Sequence, residues 1–168
     1  MLNFDDDVLT DFSDAIIGVR DKIVKCSVCN NISESDICSI CADKMRRQDT
    51  VFVVEKAKDV ISFEKLGIYD GVYHILDGVI SPMDGIGPED INISSLVARI
   101  KNNNIKEVIL ALKPSLEGET TMQYITKILS SYDVKVSKLA TGVPMGTDLE
   151  YIDSLTLEMA LEQRKSVN

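Results

Sequence analysis

Cys26-Ser-Val-Cys29 and Cys38-Ser-Ile-Cys41 hold all four cysteines of the chain within sixteen residues, spaced C-x2-C-x8-C-x2-C. Each C-x-x-C pair sets two thiolates on one tight turn. Two such turns aim four soft ligands at one point, which is the donor set of a closed tetrahedral zinc site. Two disulfides, or a redox C-x-x-C, would use the same residue types. No signal-peptide pattern precedes the pairs, so an oxidising compartment is not expected, and redox chemistry needs one pair rather than two. Structural zinc held by Cys26, Cys29, Cys38 and Cys41 is therefore the expected reading. Four protein ligands leave no position for water, so such a site holds the fold and does no chemistry.

Working outward to the N-terminal side, Asp5-Asp6-Asp7 opens a stretch in which Val8, Leu9, Phe12, Ala15, Ile16, Val19 and Ile23 recur at three- and four-residue spacing. That is one face of a helix. Aspartates at its start and Lys22 and Lys25 at its end complement the helix dipole. The stripe is wide, and either the rest of the chain or a second subunit is expected to cover it. On the C-terminal side of the cysteines, Lys44, Arg46 and Arg47 form the only concentrated positive patch. It reads either as a solvated linker or as a contact to nucleic-acid phosphate.

From residue 50 the pattern becomes alternating strands and helices. Strands are expected over 50–54, 71–76, 107–112 and 134–139, and helices over 57–66, 94–100 and 120–131, with a last helix over about 154–163 and a frayed tail. Repeated βα units predict an α/β fold with a mostly parallel sheet and helices on both faces. His74, the single histidine, falls inside the second strand without a neighbouring cysteine and reads as structural. Residues 77–90, DGVISPMDGIGPED, are a long Gly/Pro-rich loop, a kind that is often functional or interfacial. Gly85-Ile-Gly87 lacks the third glycine of a dinucleotide fingerprint, and the chain contains no phosphate-cradling G-x-x-x-x-G-K-[ST]. A further loop begins at Thr141.

A chain of 168 residues with 45% hydrophobic residues builds one or two small domains. Its formal net charge of −9 and pI near 4.6 argue against strong nucleic-acid binding by this chain alone and suit a basic protein partner. Trp is absent and aromatics are 5%, so broad base-stacking platforms are not expected. No apolar run reaches the roughly 18 residues of a membrane span. Cysteines used for metal fit a reducing cytoplasm.

In a parallel α/β sheet, ligands gather beyond the carboxyl ends of the strands. Glu55 ends the first strand, and Glu117 and Glu119 follow the third. These acids either converge and hold Mg2+ through oxygen, or Glu117 and Glu119 only complement a helix N-terminus.

The four-cysteine module, Val-Phe-Val-Val-Glu55, Tyr73-His-Ile-Leu-Asp-Gly-Val-Ile-Ser-Pro-Met-Asp-Gly-Ile-Gly-Pro88, Pro-Ser-Leu-Glu-Gly-Glu119 and Gly142-Val-Pro-Met-Gly-Thr-Asp-Leu-Glu-Tyr151 together resemble the RecR family of bacterial recombination proteins, in order and spacing, from about residue 10 onward. The resemblance implies an N-terminal helix over 1–25, a four-cysteine zinc finger over 26–41, a Rossmann-like Toprim domain over 50–145 and a Walker-B-like segment with a C-terminal helix over 146–168. It implies a non-enzymatic mediator of DNA repair, cytoplasmic and nucleoid-associated, that acts with RecO and RecF to load RecA onto single-stranded DNA. Assembly as a homodimer or a ring-like tetramer is implied as well.

Two departures from the family qualify these expectations. The family begins with a helix–hairpin–helix, which is expected to have been truncated or lost here, weakening DNA binding and ring closure. Catalytic Toprim proteins carry two metal-holding aspartates where this chain has Lys113 and Ser115 in Lys113-Pro114-Ser115-Leu116-Glu117-Gly118-Glu119. An ammonium in place of a ligand repels Mg2+, so binding of that ion is weak at most and two-metal phosphoryl chemistry is not expected. Glu55, Glu117 and Glu119 then read as an acidic face for RecO, and Lys44, Arg46 and Arg47 as DNA contacts. The alternative is a Mg-dependent nuclease or topoisomerase-like enzyme using Glu55, Glu117 and Glu119. ATP hydrolysis is not expected without a P-loop.

Overall fold

The computed structural model describes residues 5–140, 142–164 and 166, apart from the side chains of Arg20 and Asp21. Thr141, which opens the expected loop, and Lys165, Val167 and Asn168 of the expected frayed tail lie outside the described residues. The chain runs α1 (Asp6–Lys22), β1 (Val24–Lys25), β2 (Ile32–Ser33), α2 (Ser39–Ala42), β3 (Arg47–Val54), α3 (Ala57–Leu66), β4 (Gly71–Ile75), α4 (Ile93–Asn102), β5 (Glu107–Ala111), α5 (Leu116–Leu129), β6 (Lys135–Lys138) and α6 (Ser154–Glu162).

β1 and β2 pair antiparallel around the first cysteine turn. The other four strands form one parallel sheet in the order β4-β3-β5-β6. Strands in a parallel sheet are covered on both faces and read as continuous β-branched runs, and Val51, Val53 and Val54 are fully buried. Successive side chains alternate between the faces. Val51, Val53, Val72, Val108 and Leu110 pack under Leu96 and Ile100 of α4 and Met122, Ile125 and Leu129 of α5. Phe52, Val54, Tyr73 and Ile75 point the other way, onto Val60 of α3 and three of the cysteines. Burying one such Leu, Ile or Val is worth about 1.5–3 kcal/mol. The expected α/β sheet with helices on both faces is the observed one.

Element ends differ from the sequence reading for identifiable reasons. β3 begins at Arg47, because the Arg47 N–H reaches the Asp70 carbonyl at 2.9 Å ahead of an irregularity in the register. α5 begins at Leu116 rather than Thr120, because the Ser115 hydroxyl caps it by accepting from Gly118 N–H at 3.2 Å. Gly118 inside that first turn disguises the start, and it is needed there. A Cβ at this position would lie 2.0 Å from the Lys113 carbonyl oxygen.

The apolar stripe of α1 is not covered by the described residues. Val8, Phe12, Ile16, Ile17 and Val19 are each about half exposed. Among the described residues no helix is long and apolar enough to cross a membrane.

His74 is structural, as expected. It is fully buried, and its Nε2 lies 2.9 Å from the Asn92 carbonyl oxygen. A carbonyl only accepts, so Nε2 carries the proton. Nδ1 is then buried and, among the described residues, without a partner. Burial pushes the imidazole down to about 4.

Arg46 ties the segment after the cysteines to the sheet. Its guanidinium forms a two-pronged pair with Glu64 of α3 and donates to the Gly71 carbonyl at 3.0 Å. Tyr73 adds a hydroxyl donor to Glu64 at 2.7 Å. Burial alone would raise the Glu64 carboxyl, but the hydrogen bonds from Arg46 and Tyr73 outweigh it and hold the group below its ordinary 4.5.

Both groups bind protons more readily in the unfolded chain, so stability falls with falling pH. The urea midpoint of the zinc-loaded protein is expected to drop from pH 6.5 towards pH 4 as unfolded His74 protonates, and again below about 4.5 as Glu64 does. His74→Gln is expected to flatten the first part of that curve, and an unchanged slope would assign it to another group. Glu64→Ala is expected to cost about 2 kcal/mol in the same measurement at neutral pH, since it strands a half-buried guanidinium.

Candidate metal centre and acidic face

The thiol sulfurs of Cys26, Cys29, Cys38 and Cys41 all lie within 4.8 Å of one another, and Cys29 and Cys38 are 3.6 Å apart. Tetrahedral zinc with bonds of about 2.3 Å places its sulfurs about 3.8 Å apart, so the four donors fit the ion. Two local turns produce this. In the first, Asn30 N–H donates to the Cys26 carbonyl at 2.9 Å, Cys26 N–H to the Asn31 carbonyl at 2.7 Å, and Asn30 adopts φ 63°. In the second, Cys38 stands at the N-cap of α2 and its N–H points at the Cys26 sulfur from 3.3 Å. The serine in Cys26-Ser-Val-Cys29 joins the two turns, since Ser27 N–H donates to the Asp36 carbonyl at 2.8 Å.

A hydrogen bond from Cys29 holds the Cys41 thiol down to about 6. The same contact with Cys41, and burial, push the Cys29 thiol up. Burial also raises Cys38. One divalent cation replaces these protons and supplies only a cross-link, because all four positions are taken by sulfur.

The finger is seated on the sheet by backbone as well as by sulfur. Ile75 N–H, on the outer side of β4, donates to the Cys29 carbonyl at 2.9 Å. The Ile75 carbonyl accepts from the Asn30 and Asn92 side chains at 3.3 and 3.2 Å, and the Tyr73 carbonyl accepts from Arg99 at 2.7 Å. The finger and α4 together satisfy that edge. Sequence alone does not show these two contacts, because the asparagines' partners lie 45 and 17 residues away.

The three acids are placed near the carboxyl ends of β3 and β5, but they do not gather. Glu55 pairs with Lys56 at 3.3 Å. It lines an open cleft of about 450 Å3 with Lys56, Lys58, Asp59 and Lys113. Glu117 sits in the first turn of α5, where its own N–H and then the Ser115 hydroxyl hold its carboxyl below the usual range. Glu119 faces Lys138 at 3.5 Å. Among the described residues, the four cysteines are the one set of three or more candidate ligands whose donor atoms come together. Asp84, which sequence reasoning passed over, stands close enough to Glu117 for its charge to be felt there.

The positive patch is divided. Arg46 is committed to Glu64 and only 20% of its side chain is exposed. Arg47 pairs with Asp70 at 2.9 Å on the surface, and Lys44 is exposed.

Comparison with known proteins covers almost the whole chain. A family model for the four-cysteine zinc finger domain of RecR matches residues 23–43, one described as Toprim domain matches residues 49–140, and one described as RecR, C-terminal matches residues 142–165. Recombination protein RecR of Lactobacillus helveticus is 50% identical over 158 residues, which cover 94% of this chain and 79% of that protein. The same-named protein of Lactobacillus acidophilus is 49% identical with the same coverage. That of Staphylococcus aureus strain Newman is 48% identical over 163 residues, 97% of this chain and 82% of its own length.

Cys29→Ser is expected to abolish stoichiometric zinc, read by atomic absorption, and to lower the melting temperature. Stripping the wild-type protein with a strong chelator is expected to raise binding of a hydrophobic dye, because Phe52, Tyr73 and Ile75 lose their cover. Full zinc retention in Cys29→Ser would show that this thiol is not a ligand.

Proposed function

The chain belongs to the RecR family of recombination proteins, and from that premise we propose that it is a non-enzymatic mediator that acts with RecO and RecF to load RecA onto single-stranded DNA at gaps. The observation that carries this reading is the match over 94% of the chain to proteins named for recombination. Two features of the site support the absence of catalysis. The zinc site is closed by four sulfurs, and Glu55, Glu117 and Glu119 stand apart with Lys113 in the cleft beside Glu55. A cage for two metal ions needs several carboxylates converging on one place.

The acids then serve a partner. Glu117 and Asp84 give RecO an acidic face; Glu55 and Glu119 contribute less, since Lys56 and Lys138 offset their charges. Lys44 and Arg47 are the proposed phosphate contacts to DNA, without Arg46. The uncovered stripe of α1 and the exposed Leu149, Tyr151, Leu155 and Leu161 of the C-terminal segment supply apolar surface for a homodimer or tetramer.

Glu117→Lys with Glu119→Lys is expected to weaken RecO binding at least tenfold, measured by calorimetry, with the effect shrinking at high salt. Equal affinity would remove RecO from this face. A strand-cleavage assay with Mg2+ or Mn2+ is expected to be blank, and cleavage that disappears in Glu55→Ala would replace the mediator reading by an enzymatic one.

A further inference from the structure

The loop of residues 77–90 carries Asp77, Asp84, Glu89 and Asp90 and no lysine or arginine. It is braced throughout. Ile80 N–H donates to the buried Thr121 hydroxyl of α5 at 2.8 Å. Ser81 and Ile86 form an antiparallel bridge, with Ser81 N–H to the Ile86 carbonyl at 3.0 Å and the return bond at 2.9 Å. The Ser81 hydroxyl donates to Asp84 at 2.6 Å, and Gly85 closes the turn with φ 71°, a conformation that favours glycine. Residues Pro82–Asp84 form a single 3-10 turn at the tip.

Met83 occupies that tip and is 99% exposed, while Leu116, at the start of α5, is 80% exposed. Glu117 follows Leu116 and feels the charge of Asp84. Holding a tip rigid costs conformational entropy, and an exposed thioether gains nothing from burial within this chain. A rigid apolar tip with an acidic residue at its side suits a binding anchor, whose ordering has been completed before the partner arrives.

We propose that Met83 is the apolar anchor of a docking surface for a basic protein partner, and that the acids at the tip and at the start of α5, Asp84 and Glu117, supply its charge. This rests on the reading that the same acidic face receives RecO, and it adds the contact that holds the complex once charge has steered it. The occupant is a basic partner rather than a second copy. Two copies face to face would set Asp84 and Glu117 against themselves in a chain of net charge −9, and like charges across an interface are costly. The complementary surface is an apolar pocket ringed by lysine or arginine. Methionine suits such a pocket because its unbranched side chain adapts to irregular shapes.

The test uses the zinc-loaded full chain and purified RecO of the same organism, with wild type, Met83→Ser, Met83→Leu and the Glu117→Lys, Glu119→Lys double variant. Met83→Ser is expected to weaken binding about tenfold, at low and high salt alike, with unchanged zinc content and melting temperature, and Met83→Leu to restore most of it. Undiminished binding by Met83→Ser alongside weakened binding by the charge variant would overturn the anchor and leave the acidic face standing. No binding by wild type would overturn both. A fall in the mass of the free protein on Met83→Ser, read by light scattering, would make the tip a contact between copies and overturn the assignment to a basic partner.

Discussion

Four sulfurs have to meet at one point, and the rest of the finger follows from that requirement. Two turns hold the cysteines close, as the bond from Asn30 to the Cys26 carbonyl and the placing of Cys38 ahead of α2 show. Burying several thiols together is unfavourable for each as a charge, and the hydrogen bond between Cys29 and Cys41 moves their protons in opposite directions. A divalent ion resolves that conflict and converts it into folding energy. The same residues serve a second purpose. Cys26, Cys29 and Cys38 form part of the apolar cluster over one face of the sheet, so the metal site is a piece of the core rather than an appendage to it.

The parallel sheet sets the second constraint. β3 is central, with β4 on one side and β5 on the other, and the chain leaving its carboxyl end meets the chain leaving β5. In open α/β sheets, ligands gather beyond the carboxyl ends of the strands. Here Glu55 is matched by Lys56, and Lys113 lines the same cleft. The tight return at Lys113–Gly118 carries Glu117 towards Asp84 instead. Glu55, Glu117 and Glu119 are thereby spread over a surface rather than brought to one point.

Much of this was legible from residue types alone. The short apolar runs at 50–54 and 107–112 read as strands between helical segments, and cysteine spacing fixes a geometry that needs no tertiary information. What stayed hidden depends on partners distant in sequence. Arg46 reads as one of three basic residues until Glu64, 18 positions on, takes it up. The bracing of the 77–90 loop rests on Thr121, 41 positions away, so a Gly/Pro-rich stretch that looks slack is held rigid. The start of α5 was obscured by a glycine placed there for clearance, since local propensity reports what a residue prefers and not what its neighbours leave room for.

The two outer strands of the sheet are guarded differently. β6 presents Lys135 and Lys138, charges of the kind that discourage another strand from pairing with it. β4, Gly71-Val-Tyr-His-Ile75, has no such charge and is closed by the finger and α4 together. A protein that has lost its zinc therefore does more than loosen. It loses the backbone bond from Ile75 to Cys29 and the cover over Phe52, Tyr73 and Ile75, while the Tyr73 and Ile75 carbonyls stay paired with Arg99 and Asn92 of the α4 side, so what zinc loss sets free is apolar surface, a source of aggregation, rather than a bare strand edge.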